Sequence, residues 1–511
     1  MTRLRRLGLS IMTNFMAQGL SLVLGVVALP VYIRILGETG YGVYSFLLIL
    51  INYLGFLDLG LNGGIVRFVA EAVTRRDSDR IRRLTGTISR IYLVTGGTGA
   101  LFLLAGSDWM VRHFLNDIPA DLLPGAVLYF QLGAVAFLLN LYNIFLSGLL
   151  TAAQKQYLSN SVRFGGDSLR YLAGIGILLA GGGLVGLAMT NLVVNSCVLA
   201  VLFGLSRREL GTFSLFRPFD RGLFREVFSY SAFLMASTIV GVLAVQVNQL
   251  VVGYLLPVAA LAWYAGSFDT AGKLWLIPKN VLAPVFPLWT EMKAKGEKEK
   301  ITQILDHSVR FILLVAWLPS LLLLIDADVV LSLWISPGFS DGAAPVFRLI
   351  LAGVLINSAF YAATPLAYAF DLPATITRFQ IGQAILNLAG CFLLIPLYGI
   401  AGAGLAFLLS QVVIGPLVLG SVLRKTGLIS LTRYLKTTVL PPVLAGLAAG
   451  GTGWLLKVLS GDDWWTAAWR MGVVSVIFLM IADRWVITRD DRMYIGRYTP
   501  LGKWFPKKFP R

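Results

Sequence analysis

Apolar stretches of roughly 17 to 28 residues recur from about residue 10 to residue 488, separated by short polar links. The first runs from about Ser10 to Ile35 and the last from about Thr466 to Ala482. A helix needs about 20 apolar residues to cross a bilayer core. Lipid offers no hydrogen bonds to the backbone, so only helices and closed barrels span it. These runs are too long for barrel strands and predict an all-α polytopic membrane protein.

Segmentation predicts about fourteen transmembrane helices, at roughly 10–34, 41–63, 89–106, 123–150, 163–180, 184–206, 228–255, 262–288, 306–325, 343–369, 376–395, 400–423, 437–457 and 466–484. Charge orients them. The alternate links 107–122, 326–342 and 458–465 carry Asp108, Asp117, Asp121, Asp326, Asp328, Asp341, Asp462 and Asp463, with Arg112 as their clear base. The remaining links carry Arg75, Arg76, Arg80, Arg82 and Arg83, then Arg207, Arg208, Arg217, Arg221 and Arg225, then Lys293, Lys295, Lys298 and Lys300, then Arg424, Lys425, Arg433 and Lys436. Basic links stay inside, so both termini are expected to be cytoplasmic and the helix number even. Arg3, Arg5 and Arg6 precede a run too long for a signal peptide, and it is read as the first span.

The links are too short for a soluble domain, so any site must be built from the helices. The chain also resembles itself at a spacing near 216–220 residues. Gly183-Leu184-Val185-Gly186-Leu187-Ala188 matches Gly399-Ile400-Ala401-Gly402-Ala403-Gly404. Leu36-Gly37-Glu38-Thr39-Gly40-Tyr41-Gly42-Val43-Tyr44 matches Leu256-Pro257-Val258-Ala259-Ala260-Leu261-Ala262-Trp263-Tyr264. Two pseudo-symmetric six-helix lobes follow, 1–210 and 228–425. A cytoplasmic linker (211–227) joins them, and two extra transmembrane helices (426–488) and a basic cytoplasmic tail (489–511) follow the second. Six is even, so the copies run parallel about an axis along the membrane normal, a design common among secondary transporters.

Composition narrows the chemistry. A net charge of +17 with 57% hydrophobic residues reflects basic inner links and points away from nucleic acid. Cys197 and Cys391 lie inside apolar runs, so no disulfide framework is expected. His113 and His307 fall in links on opposite sides, which argues against a metal site or a catalytic triad.

Charges within spans usually face a bundle interior or a water-filled cavity. Arg34, Arg170, Lys273, Lys279, Arg348 and Arg470 escape the loops. Arg34 and Arg470 lie near predicted helix ends and are expected to snorkel to headgroups. Arg170 shares a helix face with Arg163, with Asp167 between them. Lys273 sits about eleven residues into its helix, roughly 16 Å down, with Asp269 one turn earlier. A buried ion pair and an anion site both fit these two clusters. Gln246, Asn248 and Gln249, with Asn52, Asn140, Asn143, Asn191, Asn195, Asn357, Gln383 and Asn387, add amides that suit either helix packing or a hydrophilic cavity meeting sugar hydroxyls. Asp58, before Leu59-Gly60-Leu61, reads first as a cap on the next turn.

Three passages resemble the oligosaccharide flippase (Wzx-type polysaccharide transporter) family of the multidrug/oligosaccharidyl-lipid/polysaccharide exporter superfamily. They are Ile33-Arg34-Ile35-Leu36-Gly37 with Tyr41-Gly42-Val43-Tyr44; Leu57-Asp58-Leu59-Gly60-Leu61 with Val66-Arg67-Phe68-Val69-Ala70; and Gln249-Leu250-Val251-Val252-Gly253-Tyr254 leading to Trp263-Tyr264-Ala265. The resemblance implies a bacterial inner-membrane transporter with a MATE-like fold, not an enzyme. Its substrate would be an undecaprenyl-diphosphate-linked oligosaccharide, flipped from the cytoplasmic to the outer leaflet for O-antigen, capsule or exopolysaccharide synthesis. Arg34, Arg170, Lys273, Arg348, Gln246 and Asn248 become candidates for the diphosphate and sugar cavity. Asp58 and Asp269 become candidates for proton or sodium coupling, because Asn248 stands where the family often has an aspartate. No metal or organic cofactor is expected. The implied partners are the bilayer, the polyprenyl-linked glycan and polymerase or chain-length proteins. The two extra helices would offer a groove for the prenyl tail. A multidrug exporter or lipid II flippase is the alternative within the superfamily. A membrane glycosyltransferase or polymerase fits less well, since no substantial outer loop surrounds Asp326 and Asp328.

Overall fold

The computed structural model describes residues 3–487 apart from Thr212 and Phe216, with the side chains of residues 3–18 and of five positions in 233–238 left aside. The predicted basic tail 489–511 lies outside the described residues. The described residues are helical almost throughout, and among them the one β-type contact is an isolated bridge between Asn116 and Pro257. In order the helices are α1 (Arg3–Leu54), α2 (Leu61–Thr74), α3 (Ser78–Trp109), α4 (Leu123–Ala152), α5 (Gln156–Leu179), α6 (Gly183–Leu210), α7 (Arg221–Leu255), α8 (Val258–Gly272), α9 (Leu276–Leu282) and α10 (Val285–Ala294). They continue as α11 (Lys298–Ile325), α12 (Ala327–Trp334), α13 (Pro337–Phe360), α14 (Ala363–Ala369), α15 (Pro373–Tyr398), α16 (Ile400–Thr426), α17 (Leu431–Tyr434), α18 (Leu440–Leu459) and α19 (Trp464–Ile481).

Ten helices among the described residues are long and apolar enough to cross a membrane. The difference from about fourteen has local causes. The first two expected spans form one helical stretch, Gly19–Asp58. The fifth, in α5, carries Arg163, Asp167 and Arg170 along its length. The seventh contributes a shorter apolar helix, Ile239–Leu255. The eighth is broken into α8, a 3₁₀ turn at Lys273–Trp275, α9 and α10.

Gly37 decides the course of α1. Its backbone is non-helical, with φ 71° and ψ 171°. Residues 32 and 44 of a straight helix would stand about 18 Å apart at 1.5 Å per residue. The rings of Tyr32 and Tyr44 instead meet edge to face at 5.5 Å. The chain therefore folds back at Gly37, and the arms on either side are two crossing segments.

Contacts divide the chain into two compact units, Met1–Gly266 and Ser267–Arg511. In the first unit the segments matched as repeats touch each other. A Cβ on Gly42 would lie 2.1 Å from the Val258 carbonyl oxygen, so only glycine admits the start of α8 here. The Trp263 indole N–H donates to Glu38 at 2.9 Å. At an offset of 220 (258 − 38), Gly42 corresponds to residue 262 and Glu38 to Val258. The two contacts are thus nearly reciprocal in the numbering of the matched segments.

The segment before α7 is pinned to α3. The Ser214 and Asp220 backbone N–H groups donate to the Thr85 and Thr87 hydroxyls, each at 3.1 Å. Arg217 binds Asp79 at 2.5 Å. Asp220 then caps α7 by accepting from the N–H groups of Gly222 and Leu223. The core of the second unit centres on α11, with Trp289, Phe360, Tyr434 and Phe478 packed against it.

Candidate functional site

In the first unit α5 and α6 bring the strongest polar cluster together. Arg170 lies three residues after Asp167, one turn on the same face. Its guanidinium donates to Asp167 Oδ1 at 2.7 Å, to Asn191 Oδ1 at 3.1 Å and to Asn195 Oδ1 at 3.3 Å. Asn195 donates in turn to Asn191 at 3.0 Å, and Asn143 of α4 donates to the Asn195 carbonyl at 3.3 Å. The arginine is held in a fixed orientation by a carboxylate and two amides. Arg163, expected on the same face, is exposed.

This cluster opens on a cavity of about 150 Å³. Tyr32 and Tyr44 line it from the two arms of α1, Tyr129, Phe137 and Asn140 from α4, and Thr190, Asn191 and Asn195 from α6. The Tyr44 and Tyr129 rings lie 6.1 Å apart. The amides were legible as candidates, but the tyrosines were missed. Of these only Tyr44 fell in a motif, Tyr41-Gly42-Val43-Tyr44, and the fold-back that turns Tyr32 and Tyr44 to one wall depends on Gly37.

In the second unit Lys273 opens the 3₁₀ turn that interrupts the eighth predicted helix. It donates to Asp269 Oδ2 at 2.5 Å and to the Asp269 carbonyl at 3.2 Å. The ammonium side chain is 19% exposed and the carboxylate 61%. Two residues on, the Trp275 indole donates to Asn357 at 3.1 Å, and Asn357 donates to Gln411 at 2.8 Å. Helix breaks inside membranes are tolerated where backbone is buried in protein or lines a cavity.

A second network at the far end of this unit absorbs Arg348 and Arg470. Arg470 is fully buried and binds Asp326, itself 1% exposed, and it donates to the Ser460 hydroxyl at 2.7 Å. The expectation that Arg470 snorkels is therefore corrected: Asp326 sits opposite it inside the protein, so the charge has no need to reach headgroups. Arg348 binds Asp328 and donates to the Leu324 carbonyl at 3.0 Å. Lys457 of α18 binds Asp328 from the other side and donates to the Ile325 carbonyl at 2.9 Å. Burial pushes the Asp328 carboxyl up, but Lys457 and Arg348 together hold it below the ordinary carboxylate value. These pairs tie α18 and α19 to α11, α12 and α13.

The remaining candidates stand apart from these clusters. Arg34 is exposed on the first arm of α1. Asp58 accepts from the Tyr92 hydroxyl and from the backbone N–H groups of Gly60 and Asn62, as a cap on α2 would. The left-handed backbone of Leu59 and Gly60 makes that turn. Gln246 is half-buried and Asn248 fully buried on α7.

An apolar groove of about 700 Å³ runs between α11, α13 and α18. Trp317, Ile356, Phe360, Val443 and Trp454 line it. A Cβ on Gly446 would meet the Trp317 ring at 2.2 Å, so glycine lets that ring lie against α18.

Comparisons with known proteins agree with this architecture. The family profile described as "Polysaccharide biosynthesis protein" matches residues 7–288. The chain is 24% identical over 501 residues to the uncharacterized membrane protein EpsK of Bacillus subtilis, covering 94% of this chain and 96% of that one. It is 21% identical over 404 residues to the putative O-antigen transporter of Shigella flexneri, covering 77% and 92%. Among solved structures, the lipid II flippase MurJ in an inward closed conformation superposes with a TM-score of 0.70 at 11% identity, covering 92% of this chain and 98% of that one. An inward-facing multidrug resistance MATE family transporter of the MOP superfamily gives 0.68 at 12% identity, covering 84% and 99%. At such identities the structural likeness speaks for the fold alone. With the profile spanning more than half of its residues, this multi-pass helical protein belongs to the polysaccharide biosynthesis protein family.

Proposed function

We propose that the protein flips an undecaprenyl-diphosphate-linked oligosaccharide from the cytoplasmic to the outer leaflet of a bacterial inner membrane by alternating access, without changing it chemically. The observation that carries this reading is the family match to a multi-pass helical chain that carries polar clusters among its helices. Buried charges in such helices mark substrate and ion pathways. Arg34, Arg170, Lys273, Arg348, Gln246 and Asn248 are the groups proposed to face the diphosphate and sugars. Asp58 and Asp269 are proposed to couple transport to a proton or sodium gradient. The apolar groove beside α18 is proposed to take the prenyl tail, which would pack against its apolar lining. Polysaccharide polymerase and chain-length proteins are the proposed partners, and both termini are proposed to lie in the cytoplasm.

The test is a leaflet assay in proteoliposomes carrying a short undecaprenyl-diphosphate oligosaccharide on one side, with and without an ion gradient. Protein-dependent appearance on the other side, with the lipid unaltered, is expected. A chemically changed product would make the protein an enzyme, and no movement of this substrate would overturn the reading.

A further inference from the structure

The cavity of the first unit has a chemistry of its own. Its one cation, Arg170, lies 2.7 Å from the Asp167 carboxylate, so the pair brings no net charge to an anion. Three guanidinium hydrogen bonds are already committed to Asp167, Asn191 and Asn195. The rings of Tyr32, Tyr44 and Tyr129 also line the cavity. Between them the Asn140 amide and the Thr190 hydroxyl find no hydrogen-bond partner among the described residues. A lining of aromatic rings, neutral amides and a charge-matched arginine does not suit a diphosphate, which needs uncompensated positive charge. It does suit a ring with hydroxyls on its edge and C–H groups on its face. A cavity of about 150 Å³ is space for several waters, enough to admit part of a single sugar residue.

We infer that this cavity is a carbohydrate subsite that takes one sugar residue of the lipid-linked glycan, with Asn140 and Thr190 bonding its hydroxyls and the tyrosines packing against its face. Arg170 is a positioning residue here: locked by Asp167, it orients the Asn191 and Asn195 amides. The inference rests on the flippase reading and assigns the sugar and the diphosphate to different groups. A polar site built for hydroxyls discriminates because its own groups are left unpaired when the hydroxyls are missing.

Native mass spectrometry of the full-length protein in nanodiscs tests this with two lipids. One is undecaprenyl diphosphate, and the other is the undecaprenyl-diphosphate-linked glycan extracted from cells that make this protein. Wild type should prefer the glycan-bearing lipid by about tenfold or more. Asn140→Leu, which keeps the side-chain shape but removes its hydrogen-bonding groups, should remove most of that preference and leave binding of undecaprenyl diphosphate unchanged. Thr190→Val keeps the side-chain shape and should remove part of it, which guards against a folding defect in the first variant. Equal weakening of both lipids would place the phosphates in the cavity and overturn the inference. Full preference in both variants would place the sugar elsewhere and overturn it too. If wild type bound neither lipid, the flippase reading would fall and the inference with it, a result distinct from either of the others.

Discussion

Two arginines in long apolar helices, Arg170 in α5 and Arg470 in α19, have opposite surroundings. Arg170 is 36% exposed beside a cavity, with its carboxylate partner three residues away on the same helix. Arg470 is sealed from solvent, and its partner Asp326 lies 144 residues earlier in the chain. A local pair on an open wall orients neighbouring amides, at little cost in stability whether made or broken. A long-range pair in the interior holds elements together, and breaking it strands a charge. An intramembrane arginine is thus a functional candidate only when its partner and its exposure are known.

The sharpest way to break the comparison is Asp326→Ala. It leaves Arg470 buried without its carboxylate and should cost about 3–5 kcal/mol, read as a large fall in melting temperature or loss of folded protein. The double variant Asp326→Leu with Arg470→Met should recover most of that stability, since replacing both members of a buried pair is often near neutral. Failure of the double variant to recover would show that the pair does more than cancel two charges.

Arg170→Leu should behave oppositely. Its half-exposed pair is worth about 1 kcal/mol or less, so the melting temperature should hardly move. Glycan transport in the leaflet assay should nonetheless fall about tenfold or more. Lys273→Ala is expected to follow Arg170→Leu, with transport lost at unchanged protein level. Persisting transport would make the Lys273–Asp269 pair structural.

The smallest effect belongs to the Asp328 network. Its carboxyl is held below the ordinary value, so its contribution is fully present above the unfolded value and is lost as pH falls through the depressed one. Protection against hydrogen exchange in α18 and α19, relative to the intrinsic rate at each pH, should therefore be flat from about pH 8 to 5 and fall only below about pH 4. Protection lost already near pH 6 would exclude Asp328 as the group responsible.

Much of this was legible locally. Apolar runs such as Leu123–Ala152 and Ile400–Thr426 became helices because a membrane helix satisfies its backbone within itself. The Asp167–Arg170 and Asp269–Lys273 pairs were readable from helical spacing alone. Lys457 was missed as a partner because its carboxylate, Asp328, is 129 residues away. The break at Lys273–Trp275 was missed because the apolar run continues through it. The Gly40-Tyr41-Gly42 signature was visible, but the Val258 carbonyl that makes Gly42 necessary was not.

The sequence by itself determined that the chain lives in a membrane, that it is helical and which residues carry charge into the apolar spans. Those properties depend on neighbours within about 20 residues. The tertiary structure decided which arginine is sealed and which faces a cavity, where the chain reverses at Gly37 and which tyrosines share a wall. Those depend on groups that meet only when distant helices pack, and no local pattern specifies which helix lies opposite.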